Sequence, residues 1–168
     1  MEAELAKRIV DGLREAGINF LTYLPETRLS QILPLMQADE FFRLVPVGSE
    51  AEGVSIAAGA ALGGKQVACY MEGTGVFVST YNLLTVTERF GVPILLLVSY
   101  VGSFADKRNS FLYVRRGTRM IPVLEALGIQ YRILRDGKNL EARIQEAVRM
   151  MHALKLPVAL LFTGEFTM

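Results

Sequence analysis

Two runs of apolar residues, at 93–100 and 157–163, contain the unbroken strings ILLLV and VALLF. A strand with one wet face alternates apolar and polar residues, whereas a strand without alternation must be covered on both faces. Strands of that kind belong to parallel sheets sandwiched between helices, and the rest of the chain supplies the helices in alternation. Leu5, Ile9, Val10 and Leu13 recur at helical spacing, and Gly17 ends that helix. A strand at 19–24 leads through a turn at 25–28 into a helix at 29–36, interrupted near its middle by Pro34. A strand at 43–47, a helix at 49–62 and a strand at 66–71 follow. Residues 72–75 read as a loop and 76–90 as a helix. Beyond the strand at 93–100, residues 101–117 read as irregular. A helix at 118–127, a strand at 130–134, a helix at 139–154 and the strand at 157–163 complete the pattern. The expectation is a three-layer, doubly wound α/β fold, with a mostly parallel six-stranded sheet and helices on both faces. The length of 168 residues fits one domain over 1–168.

The composition narrows the partners. Apolar residues make up 51% of the chain, enough for a real core, and 18 basic against 17 acidic residues leave a net charge of +1. That balance argues against nucleic acid or an anionic membrane as the main partner. The absence of tryptophan together with a positive mean hydropathy suits an apolar surface patch for a protein partner. The lone Cys69 forms no intrachain disulfide, the N-terminal segment is an amphipathic helix rather than a leader, and no apolar run is long enough to span a bilayer. A cytoplasmic protein is expected.

In a doubly wound sheet, ligands gather at the carboxyl ends of the strands. Those ends carry Leu24-Pro25-Glu26-Thr27, Val47-Gly48-Ser49-Glu50, Met71-Glu72-Gly73-Thr74-Gly75 and Ser99-Tyr100-Val101-Gly102. Ser49 and Glu52 have capping-box spacing: the serine side chain serves the amide of Glu52, and Glu52 reaches back to the cap amide. The helix behind them, Gly53-Val-Ser-Ile-Ala-Ala-Gly-Ala-Ala-Leu, is apolar nearly all round and rich in small residues. Such a helix is buried and lets another backbone or a ligand come close. Glu50 stands at the lip of that element, where it reads either as an acid that suits the helix dipole or as a desolvated functional carboxylate. Gly73 and Gly75 permit close backbone approach, but Gly73-x-Gly75 lacks the third glycine of a dinucleotide loop.

The stretch GSEAEGVSIAAGAALGGKQVACYMEGTGVFVSTYNLLTV resembles the pyrimidine-binding domain of thiamine-diphosphate-dependent decarboxylases. The likeness is to sulfopyruvate decarboxylase α subunits and the matching half of phosphonopyruvate decarboxylase. Glu50, Gly53 three positions on, and Ala57-Ala58-Gly59 ending nine positions on fall on the family's spacing, with Asn82 in the next helix. INFLTYLPETRL and PVLEALGIQYRIL extend the resemblance over almost the whole chain. It implies that Glu50 hydrogen-bonds the aminopyrimidine of the cofactor, favouring the imino tautomer that removes the thiazolium C2 proton. It places Pro25, Gly73, Thr74, Gly75 and Asn82 around the cofactor, and Arg28, Glu72 and Arg108 toward a sulfopyruvate-like or phosphonopyruvate-like 2-oxo acid. Taken by itself, Arg28 reads as a solvated arginine on the first turn of a helix. The basic run that includes Arg108, Arg115, Arg116 and Arg119 reads either as a solvated face or as a flexible lid whose arginines recognise an acid group. The sequence departs from the family at Glu72-Gly73-Thr74, where Gln-Asn-Ser is common, and at Ser49, where a basic residue is frequent.

Complete enzymes of this kind bind the diphosphate through Gly-Asp-Gly and a later Asn that hold Mg²⁺. Arg135-Asp136-Gly137-Lys138-Asn139 lacks the preceding glycine and reads as a turn into a helix. The resemblance then implies a separate β subunit carrying the diphosphate and Mg²⁺, in an α2β2 or larger assembly. Two other functions stay open: a carboligase or other acyl-anion-forming subunit, and a noncatalytic binding or regulatory subunit of the same fold.

Overall fold

A computed structural model describes residues 3–104, 106 and 111–167. The chain runs α1 (Ala3–Glu15), β1 (Phe20–Tyr23), α2 (Ile32–Gln37), β2 (Arg43–Pro46), α3 (Glu50–Leu62), β3 (Val67–Glu72) and α4 (Gly73–Val78). It continues through α5 (Thr80–Asn82), a π-helical turn (Leu83–Glu88), β4 (Leu95–Tyr100), α6 (Phe111–Ala126), β5 (Gln130–Asp136), α7 (Leu140–Leu154) and β6 (Val158–Thr167). All six strands pair in parallel in the order β2-β1-β3-β4-β6-β5. The three-layer doubly wound sheet expected from the sequence is the fold observed.

The apolar strands behave as their lack of alternation requires. Every residue of β4 is buried. Leu95 and Leu97 turn into one core with α1, α2 and α7, while Leu96 and Val98 turn into the other with α3, α4 and α6. From β1 the chain crosses to β2 on one side, and after β2 it returns to β3 on the other side of β1. The strand order therefore reverses between β1 and β3, and a crevice opens outside their carboxyl ends.

Four local readings of the sequence change. Pro34 does not interrupt α2, because it lies in the first turn, where its missing N–H has no intrahelical partner to lose. Residues 73–75 are not a loop: Glu72 closes β3 and α4 starts at Gly73. The helix expected over 76–90 divides into α4, α5 and the π-helical turn. Thr80, Thr85 and Thr87 there bond the carbonyls four residues back, competing with the backbone amides for them.

The fourth change matters most for the site. Residues 111–117 are helical, so α6 begins seven residues before the expected position. Gly117 looks like a breaker in sequence, yet it is the contact that seats the helix. A Cβ on Gly117 would lie 2.1 Å from the carbonyl oxygen of Gly102, and a Cβ on Gly102 would lie 2.1 Å from that of Tyr113. Two glycines thus let α6 touch the turn after β4 backbone to backbone, and the Tyr100 hydroxyl donates to the Gly117 carbonyl at 3.1 Å.

Gly117→Ala is expected to destabilise the chain by about 2 kcal/mol or more, since the obstructing atoms are backbone. Gly59 in α3 faces open space. Its replacement by alanine should be neutral or stabilising by up to about 1 kcal/mol. Urea midpoints of the two variants measure both effects.

Candidate functional site

The crevice at the switch point is a cleft of about 470 Å³. The loop after β1 contributes Leu24, Pro25, Glu26, Thr27 and Arg28; the start of α3 contributes Glu50; the end of β3 contributes Glu72. Val101 follows β4, and α6 adds Leu112, Tyr113 and Arg116.

Helix α3 is capped as the sequence predicts on one side only. Ser49 Oγ accepts from the Glu52 amide at 3.3 Å, while the Glu52 carboxylate takes the amide of Gly48, at 2.7 Å, rather than that of the cap. The second acid of the turn behaves differently. Glu50 is half-buried, lines the cleft and has no hydrogen bond or ion pair with any described residue. Its side chain lies over Gly75: a Cβ there would fall 2.5 Å from Glu50 Cγ and 3.0 Å from Cδ. The glycine pattern after β3 thus has a concrete use, which is room for the Glu50 side chain. Below it, Cys69 is buried, and burial first, with the nearby Glu50 charge adding, pushes its thiol up to about 12.

Glu26 is occupied locally. Its carboxylate accepts from the Arg28 amide at 2.7 Å and from the Leu29 amide, and also from the Tyr70 hydroxyl of β3. Burial and the Glu26 charge raise Tyr70, keeping its hydroxyl a donor. This ties the Pro25 turn to β3 and fixes one wall of the cleft.

The expectation of a solvated Arg28 is corrected. Arg28 is 9% exposed, with Nη2 on Asp106 at 3.1 Å and Nη1 on the Tyr100 carbonyl at 3.4 Å. Asp106 also accepts from the Gly102 amide. The pair joins the loop after β1 to the turn after β4 and neutralises Arg28 on the cleft wall.

Glu72, at the end of β3, accepts from Thr74 Oγ1 and pairs with Arg116 Nη1 at 3.3 Å. Arg116 Nη1 also reaches Thr74 Oγ1, and its guanidinium carbon lies 5.0 Å from the Tyr113 ring centroid. Of the arginines at 115, 116 and 119, only Arg116 lines the cleft, while Arg115 and Arg119 are exposed on α6. The reading of these arginines as parts of a flexible loop is corrected, since α6 carries them. Arg108 lies outside the described residues.

The fold therefore brings Pro25, Arg28, Glu50 and Glu72 to one cleft, with Gly73, Thr74 and Gly75 in the adjoining first turn of α4. Asn82 does not line it. Its amide donates to Ser55 at 2.8 Å and ties α5 to α3. Sequence reasoning placed Arg116 only within a basic run. The signal that would have singled it out is Gly117 beside it, once read as a packing contact.

The chain is thus a doubly wound, parallel α/β domain with an uncommitted carboxylate at its switch-point cleft. No protein-family model matches the chain. The chain is 24% identical over 156 residues to the sulfopyruvate decarboxylase subunit alpha of Methanococcus maripaludis, covering 93% of this chain and 92% of the relative. It is 29% identical over 146 residues to the subunit alpha from Methanothermobacter thermautotrophicus, covering 87% of each chain. The resemblance to sulfopyruvate decarboxylase α subunits drawn from the sequence thus holds along nearly its whole length. A solved structure of 2-oxoglutarate:ferredoxin oxidoreductase from Magnetococcus marinus shares the fold, with a TM-score of 0.73 and 16% identity over 96% of this chain. This chain spans 29% of that longer one.

Gly75→Ala should displace the Glu50 side chain and press on the first turn of α3, because the obstructing atoms include Glu50 Cβ, at 3.0 Å, as well as Cγ. A crystal structure of the variant checks this. An unmoved Glu50 would contradict the packing described.

Proposed function

We propose that the chain is the α subunit of a thiamine-diphosphate-dependent 2-oxo acid decarboxylase, acting on a sulfopyruvate-like or phosphonopyruvate-like acid. The observation that carries the reading is Glu50. It is a half-buried carboxylate at a switch-point cleft with no bond to any described residue, and a glycine opposite keeps its place open. Water can serve a half-buried carboxylate of this kind, and a ligand donor entering the cleft would replace it. The full-length similarity to sulfopyruvate decarboxylase α subunits supports the same reading.

The residues present fit one half of the cofactor. Glu50 would hold a proton at the aminopyrimidine ring nitrogen, and the loop at Pro25 and the first turn of α4 would flank the ring. Bound there, thiamine diphosphate supplies the electron sink for the pair left behind when carbon dioxide departs. The chain's own contribution is orientation, exclusion of water and control of that proton.

The diphosphate half belongs, in this proposal, to a partner. Among the described residues no group of three or more His, Cys, Asp or Glu is placed to hold a metal ion. Mg²⁺ prefers oxygen ligands and substrate phosphates, so it would travel with the diphosphate on a β subunit. The partner also has surface to meet. Leu62, Val78, Tyr81, Leu84 and Phe90, on or following α3 to the π-helical turn, are all exposed, Tyr81 at 74%. Exposed apolar side chains in such number mark contact surfaces. We propose an α2β2 or larger assembly. No helix among the described residues is long and apolar enough to cross a membrane, and we place the protein in the cytoplasm.

Glu50→Gln keeps the shape and removes the exchangeable charge. In the complex co-purified with its partner, turnover of sulfopyruvate should fall about 10²–10⁴-fold. The unfolding free energy from urea titration should stay within about 0.5 kcal/mol of the parent. Near-normal turnover would sink the assignment.

A further inference from the structure

Arg116 is held by one terminal nitrogen and free at the other. Nη1 is engaged by Glu72 and Thr74, and the Tyr113 ring stacks near the guanidinium. No described residue accepts from Nη2, which is open to solvent, whereas Nε is shielded. Nη2 can donate a charge-assisted bond to a carboxylate, sulfonate or phosphonate that enters the cleft. The backbone contact of Gly117 with Gly102 fixes the helix that carries the side chain, so Nη2 is preorganised on the cleft wall.

Arg28 also has an unpaired, shielded Nε, but unlike Arg116 it spends both terminal nitrogens, on Asp106 and on the Tyr100 carbonyl.

From this geometry we infer that Arg116 is the specificity-determining residue for the acid group at the far end of the substrate. Glu72 and Thr74 act as positioning residues that hold Arg116 rather than touch substrate. The inference rests on the decarboxylase reading of the same cleft and adds the side chain that selects 2-oxo acids with a second acid group on the methyl carbon. The reacting carboxylate is the wrong partner for Arg116. It loses its charge as carbon dioxide leaves, so a cation gripping it would stabilise the ground state more than the transition state. A distal sulfonate or phosphonate keeps its charge throughout and can be held at no such cost.

The test compares sulfopyruvate with pyruvate, which lacks the distal acid, in the complex co-purified with its partner. Arg116→Gln should lower kcat/KM for sulfopyruvate about 30- to 100-fold, mainly through KM, and leave pyruvate within about threefold. Arg116→Lys, which keeps the charge but not the guanidinium, should recover part of the loss. Glu72→Gln should give a smaller loss confined to sulfopyruvate. Equal losses on both acids, no loss on either, or a parent complex that favours pyruvate overturns the inference. A parent complex that decarboxylates neither acid overturns the decarboxylase reading. Sulfoacetate titration, followed at the Arg116 Nε–H resonance, then decides the site on its own. A saturable shift with sulfoacetate and none with acetate supports the anion site, and no shift with either overturns it.

Discussion

Helix α3 lies closer to the sheet than a side chain at position 53 would comfortably permit. A Cβ on Gly53 would come within 3.3 Å of Cys69 Sγ, 3.4 Å of Val47 Cγ2 and 3.5 Å of Thr22 Oγ1, and Thr22 donates to the Gly53 carbonyl at 3.0 Å. The first turn of the helix is thereby pressed onto β1 and β3, the two strands between which the order reverses. Glu50 stands at its first position as a consequence. If α3 stood farther off, the carboxylate would leave the strand ends and Gly75 would have nothing to accommodate. The small residues at 57 and 58 continue the same close approach, and both are fully buried.

The opposite wall depends on a second close contact, that of α6 against Gly102. It sets Arg116 beside Glu72 and Thr74, and the same turn receives the Arg28–Asp106 pair. Both members of that pair are buried, at 9% and 1% side-chain exposure. Removing one partner of such a pair typically costs about 3–5 kcal/mol, because the remaining charge is stranded. The pair therefore does little as a binding group and much as a brace between the loops after β1 and β4. Among the described residues that line the cleft, Arg116 keeps a terminal nitrogen without an acceptor and Glu50 a carboxylate without a donor.

The strands were legible because their apolar runs admit only a sheet covered on both faces. Ser49 was legible because a cap is a local interaction, although the reach of Glu52 to Gly48 rather than to Ser49 depends on the turn that precedes the helix. Glu50 read two ways, as an acid suited to a helix N-terminus or as a functional carboxylate, and the resemblance to the decarboxylase family singled it out. Long-range contacts were not legible. Gly117 carries the same letter whether it breaks a helix or seats one, so α6 was begun too late and Arg116 was left inside a loop. Arg28 read as solvated because Asp106, its partner, is 78 residues away. Asn82 matched a family spacing, and the fold directs its amide to Ser55.

The account holds that this chain supplies the pyrimidine half of a cofactor site and a partner supplies the diphosphate half. Isothermal titration of thiamine diphosphate with Mg²⁺ into the isolated chain and into the co-purified complex tests this most directly. The account predicts saturable, Mg²⁺-dependent binding by the complex, and binding at least about 100-fold weaker by the chain alone, a difference of roughly 2.7 kcal/mol. Equal affinity in the two samples, or no binding by the complex, would contradict it.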